Sequence, residues 1–182
     1  MAAAIGLVEL SSISRGIYAA DQMVKTAEVE IVTAQTICPG KYIALVQGEV
    51  AAVQNSVRAG EETAGEYLVD SLIIPNIHED IFPAITGTTT LESIVALGIF
   101  ETFSVAAMVA AADQILKAAE LEAIEIRLGT GLGGKSFFTF TGDVASVKTG
   151  VAAGLESVAE YGLVVNAEVI PAPSEKLIAA LL

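Results

Sequence analysis

The sequence predicts an α+β protein made of two tandem copies of one β-α-β-β-α-β unit. Three observations carry this reading: a direct internal repeat, an apolar helical face that recurs at matching positions, and short β-rich runs around those helices. The repeat comes first, because a missed repeat misassigns the whole fold. Ala4-Ile5-Gly6-Leu7-Val8-Glu9 returns as Ala96-Leu97-Gly98-Ile99-Phe100-Glu101, and Asp21-Gln22, Lys25 and Glu28 return as Asp113-Gln114, Lys117 and Glu120. After a short insertion, Thr36, Gly40-Lys41 and Gly48 return as Thr130, Gly134-Lys135 and Gly142. Residues 1–90 form the first expected domain and residues 91–182 the second. Between the copies, residues 83–93 contain Thr86-Gly87-Thr88-Thr89-Thr90 and read as a linker.

Each copy has the same internal order. Residues 5–10 form a short apolar strand, followed by a helix whose Ile17, Ala20, Val24 and Ala27 fall on one face, matched by Val109, Ala112, Leu116 and Ala119. Residues 30–35 and 42–46 are rich in β-formers and flank a Gly-Lys loop, the pattern of two neighbouring antiparallel strands. Glu49 or Asp143, each after a glycine, then starts a second helix with Val50, Val53 and Val57 matched by Val144, Val147 and Val151. A last strand spans 68–74 in one copy and 163–170 in the other, and a proline ends each. This order is that of a ferredoxin-like sandwich, with helices on one face of an antiparallel sheet.

Composition narrows the function. The hydrophobic fraction is 53%, but much of it is alanine, and the longest strongly apolar stretch, residues 94–100, falls far short of the roughly 20 needed to cross a bilayer. Glu9 interrupts the first ten residues, so no secretory leader is expected and the chain reads as cytosolic. The formal net charge is −13, from 9 Lys+Arg against 22 Asp+Glu, which repels nucleic-acid phosphates and anionic lipid. So much apolar surface on a chain of 182 residues points to self-association.

Chemistry-bearing residues are few. Cys38, in Thr36-Ile37-Cys38-Pro39-Gly40-Lys41, is the single cysteine; Pro39 stiffens its loop and Gly40 permits unusual backbone angles. Taken alone, such a residue reads as a small buried hydrophobe. The second copy has Leu132 in its place, within Gly129-Thr130-Gly131-Leu132-Gly133-Gly134-Lys135-Ser136. That stretch satisfies G-x-x-x-x-G-K-S/T, yet residues 136–141 alternate polar and aromatic side chains and read as a strand, whereas a phosphate loop must enter a helix. Nucleotide binding is therefore disfavoured, and Gly131, Gly133 and Gly134 read as freedom for loops crowding an axis. His78 is the one histidine, so no multi-histidine site or histidine triad fits within a chain. Glu61, Glu62 and Glu66 read as a solvated helix face. No carboxylate pair suggests acid–base work, and the chain does not read as an enzyme.

The apolar strand with its glutamate, the helix ending Asp-Gln-Met-Val-Lys, the Gly-Lys loops, the Gly-Asp/Glu-Val helix starts and the final Val-Ile-Pro together resemble the bacterial microcompartment shell domain. The likeness covers nearly the whole chain and is to the tandem-domain shell proteins. Thr36 to Lys41, with Leu68-Val69-Asp70-Ser71-Leu72, resembles the iron–sulfur type of the propanediol-utilisation shell. The resemblance implies a homotrimer of two-domain chains forming a pseudo-hexameric tile, with Ile37, Pro39, Gly40, Gly131, Leu132, Gly133 and Gly134 around a central pore. It implies that Lys25 and Lys117 meet neighbouring shell proteins at the tile edge, although spacing alone reads them as solvated helix-end lysines. The arginine usual after the final proline is Asn76 in one copy and Ala172 in the other, which puts full edge function in question. The subtype further implies one 4Fe-4S cluster per trimer on the three-fold axis, held by three Cys38 thiolates, for electron transfer or cluster exchange with a lumenal or cytosolic redox partner. The alternative is a metal-free tile whose pore conducts small metabolites.

Overall fold

The computed structural model describes residues 4–91, 93–161 and 163–181. The first copy runs β1 (Ala4–Leu10), α1 (Ile13–Thr26), β2 (Glu30–Ile37), β3 (Lys41–Gly48), α2 (Val50–Ala64) and β4 (Leu68–Ile74), followed by α3 (Ile81–Thr86). The second runs β5 (Ala96–Thr102), α4 (Val105–Ala118), β6 (Glu122–Leu128), β7 (Ser136–Gly142), α5 (Val144–Ser157) and β8 (Val164–Ile170), followed by α6 (Glu175–Leu181). The strands form two four-stranded antiparallel sheets, in the orders β2-β3-β1-β4 and β6-β7-β5-β8. This is the expected α+β architecture, twice. The copies agree even in their irregularities, with bulges at Ile31/Thr33 and Ala123/Glu125 and again at Glu9/Leu10 and Glu101/Thr102.

The chain forms two compact units. One comprises Met1–Glu79 with Gly129–Gly134, and the other Asp80–Leu128 with Lys135–Leu182. The loop between β6 and β7 thus belongs to the first unit, a point that sequence order does not reveal.

Local chemistry explains the helix ends. Ser12 caps α1 by accepting from the Arg15 N–H at 3.3 Å, and Ser104 caps α4 by accepting from the Ala107 N–H at 3.1 Å. Asp143 caps α5 through the Ala145 and Ser146 N–H groups, and these bonds, Ser146 foremost, hold its carboxyl below the usual carboxylate range. In the first unit Ala4, Val8 and Leu10 of β1, with Tyr42, Ala44 and Val46 of β3, pack under Ala19, Ala20 and Met23 of α1 and Val53 and Val57 of α2. Within this core, Gly16 lets α1 lie directly on Tyr42: a Cβ there would stand 2.5 Å from that of Tyr42. That close approach turns the helix, so the buried face is Gly16, Ala19, Ala20 and Met23 while Ile17 is exposed. The expected stripe through Ile17 is therefore displaced, whereas Val109, Ala112 and Leu116 of α4 are buried as read.

The expected linker is also more ordered than its composition suggests. Its first residues belong to α3, with Ile81 and Ala84 fully buried and the helix packed on β6 of the second unit. Gly87, at φ 67°, ends that helix in the left-handed conformation, and Thr89 Oγ1 donates to the Ile124 carbonyl at 2.8 Å. Residue 92 of that segment lies outside the described residues.

Central-strand glycines set the spacing of the layers. A Cβ at Gly98 would stand 2.4 Å from the fully buried Phe140 ring, and one at Gly6 2.5 Å from Val57. Gly98→Ala should therefore overpack the second unit and destabilise it by about 1–3 kcal/mol. A lowered denaturant midpoint checks this, with Gly131→Ala, where only backbone strain enters, losing about 1–2 kcal/mol.

Candidate functional site in the paired strand loops

Two loops from equivalent places in the repeat lie together in the first unit. One joins β2 to β3 through Cys38-Pro39-Gly40, and the other is Gly129–Gly134 between β6 and β7. The Cys38 N–H donates to the Gly129 carbonyl at 3.0 Å, and Thr130 Oγ1 donates to the Thr36 carbonyl at 3.3 Å. Ile37 is buried against Gly129, where a Cβ would approach the isoleucine Cβ to 2.9 Å. The two loops are thereby tied by backbone chemistry. Pro39, Gly40, Gly131 and Gly133 are exposed, and Cys38, Leu132 and Gly134 are half-buried. Gly40, Gly131, Gly133 and Gly134 have φ of 76°, 71°, 63° and 89°, which glycine adopts without penalty. Nothing lies near Gly40, Gly131 or Gly133 on the side where a Cβ would project, so backbone conformation and not crowding demands glycine there.

An ion pair closes the base of each loop. Lys41, the first residue of β3, donates to Glu9 of β1, and Lys135 donates to Glu101 of β5. The first pair is the more enclosed, with the Glu9 and Lys41 side chains 4% and 25% exposed against 29% and 37% for Glu101 and Lys135. An ionised carboxylate on a buried strand needs such a partner. The sequence marks the pairs by a lone acid in an apolar strand and a lysine after glycine, both duplicated, although the repeat itself does not say that the two meet.

The structure also places the other candidates. Ser136, after Lys135, opens β7, so the phosphate-loop pattern runs from strand to strand and meets no helix N-terminus. Lys25 and Lys117 sit in the last turns of α1 and α4 and donate one turn back to Asp21 and Asp113, at 2.6 and 2.7 Å. His78 lies between β4 and α3. Glu61 is not purely solvated, because Ser71 Oγ donates to its carboxylate at 2.6 Å.

The expected cluster does not fit these residues. A 4Fe-4S centre needs a set of thiolate ligands, and the chain supplies the single thiol of Cys38. Among the described residues no group of three or more His, Cys, Asp or Glu side chains could hold a metal ion. The expected 4Fe-4S cluster with three Cys38 ligands is therefore not supported by the residues present. Two backbone contacts hold Cys38: its N–H donates to the Gly129 carbonyl, and Gly134 lies against its own carbonyl.

The two ion pairs should differ in their effect on stability. Lys41→Met leaves the Glu9 carboxylate buried without its partner and should cost about 3 kcal/mol, the lower end for a broken buried pair. Lys135→Met should cost under about 1 kcal/mol, because both partners reach solvent. Equal shifts in the denaturant midpoints of the two variants would contradict this ranking.

Comparison with known proteins agrees with the duplicated fold. The BMC domain matches residues 4–77 and again 96–173. The chain is 43% identical over 177 residues to the bacterial microcompartment shell protein PduT of Citrobacter freundii, spanning 97% of this chain and 96% of that one. The crystal structure of a microcompartment protein from Desulfitobacterium hafniense superposes with a TM-score of 0.95 at 50% identity, over 98% of this chain and 99% of that one. The carboxysome shell protein CsoS1A of Hydrogenovibrio crunogenus is 38% identical over 86 residues, which is 46% of this chain and 90% of its own. That relative is matched nearly whole by half of this chain, as a duplicated unit requires. No helix among the described residues is long and apolar enough to cross a membrane. The chain belongs to the BMC-domain family, as a tandem-domain shell protein of bacterial microcompartments.

Proposed function

We propose that the chain is a metal-free structural tile, a homotrimer whose six similar domains form a pseudo-hexameric plate, and that its paired loops border an opening for small metabolites. The observation that carries this reading is the meeting of Cys38-Pro39-Gly40 with Gly129–Gly134 in one unit, joined by the Cys38–Gly129 and Thr130–Thr36 hydrogen bonds. Loops from both copies then contribute to one rim. The rim is small: Ile37, Pro39, Gly40, Gly131, Leu132, Gly133 and Gly134 carry no ionisable group, Cys38 adds a single thiol, and the flanking lysines are paired with Glu9 and Glu101. Backbone amides and short side chains suit the passage of small polar molecules rather than selection of ions. Lys25 and Lys117 stand at the tile edge and meet neighbouring shell proteins, while the chain itself performs no catalysis. That the relatives are shell proteins supports a structural rather than a catalytic role.

Light scattering on the purified protein should give three times the 18.7 kDa chain mass. Leu132→Trp should keep that mass while lowering small-molecule flux through assembled shells. A monomeric mass contradicts the tile, and unchanged flux in Leu132→Trp contradicts the opening.

A further inference from the structure

The helix that follows the first copy is docked on a strand, and the matching helix after the second copy is not. α3 follows the first copy and packs on β6 of the second, inside the second unit. Ile81 and Ala84 are fully buried there, and β6 is buried at Ala123, Ile124, Ile126 and Leu128. α6 stands at the matching place after the second copy. Aligned from Pro75 and Pro171, His78-Glu79-Asp80-Ile81-Phe82-Pro83-Ala84-Ile85 pairs without a gap with Ser174-Glu175-Lys176-Leu177-Ile178-Ala179-Ala180-Leu181. Yet no residue of α6 is buried, Ile178 reaching only half-buried: Leu177 is 38% exposed where Ile81 is 0%, and Leu181 is exposed as well. A helix of 7 residues has little stability of its own in water, because chains below roughly 12–15 residues are marginal without tertiary packing. It needs a surface to lie on.

β2 offers the counterpart of that surface. It shares with β6 the pairing register and the bulge, but Ile31 is 47% exposed where its equivalent Ala123 is 5%. The same contrast holds on the first helices, where Ile13 and Ile17 of α1 are exposed and their equivalents Val105 and Val109 of α4 are buried. We infer that α6 of one copy seats on β2 of a second copy, repeating between chains the joint that α3 makes on β6. Each chain then carries one donor helix and one acceptor strand, which is a heterologous, head-to-tail interface. Closure of that interface at three copies rests on the tile reading above.

Charge supports a second copy as the occupant. Asp80 and Glu122 line one cleft between α3 and β6, two acids on opposing elements. Their equivalents across the joint between copies are Lys176 and Glu30, of opposite sign. Opposite charges steer the two surfaces together and set their register.

A disulfide trap tests the geometry. Pro83 and Ala123 line that same cleft, so their equivalents Ala179 and Ile31 should face each other across the joint. In a Cys38→Ser background, Ile31→Cys with Ala179→Cys should give covalent three-chain species on oxidation. Leu177→Lys with Leu181→Lys should raise the concentration at which the assembly dissociates by roughly tenfold or more, with unchanged far-UV dichroism. A disulfide closed within single chains overturns the inference. So does a trimer that forms no cross-link and tolerates both lysines, an outcome that leaves the tile itself standing. A wild-type protein that is monomeric at every concentration removes the tile and this joint together.

Discussion

The pairing of the central strands governs what the rest of each unit can do. β1 and β3 run antiparallel from Ala4↔Gly48 to Leu10↔Tyr42, and β5 and β7 from Ala96↔Gly142 to Thr102↔Ser136. That register places the loop after β2, and the one after β6, at the same end of its sheet as the Glu9 or Glu101 carboxylate. It also aims Lys41 and Lys135 back at those carboxylates, so each loop leaves the sheet over a neutralised base. A one-residue slip would reverse every side chain of the strand and bury the wrong set. The central glycines, Gly6 and Gly98, then let the neighbouring side chains close over the strands.

Duplication has produced two units with one topology and two different sets of surroundings. Cys38 and Leu132 occupy matched loops, yet only one carries sulfur. α3 is buried and α6 is open, although their sequences align without a gap. Such differences between matched positions are informative because the shared fold cancels: what remains reflects neighbours. They suggest that a single chain is an incomplete piece of a larger closed arrangement.

The fold was legible because the repeat doubled each signal; a strand read once from Ile5 is read again from Leu97. Three features were not. The buried face of α1 was read through Ile17, because hydrophobic spacing cannot anticipate a glycine, Gly16, seated on Tyr42. α3 was hidden in a span rich in threonine, and what marks it as a helix is the burial of Ile81 and Ala84 where it packs on β6. The Glu9–Lys41 pair joins residues distant in sequence, which propensity does not link. As to the site, Cys38 and the glycine stretch were read as loops between the middle strands, where the structure has them, but the motif around Cys38 suggested a ligand set that one thiol does not supply. Local likeness carries ancestry further than it carries a metal's coordination chemistry.

The proposed tile is metal-free and assembles from three copies of this chain. Native mass spectrometry of protein expressed with ample iron and purified without oxygen tests it most directly. The expected result is a single species at three chain masses with no added iron or sulfide. A trimer heavier by a stoichiometric iron–sulfur increment, or a species that never exceeds one chain, would contradict it.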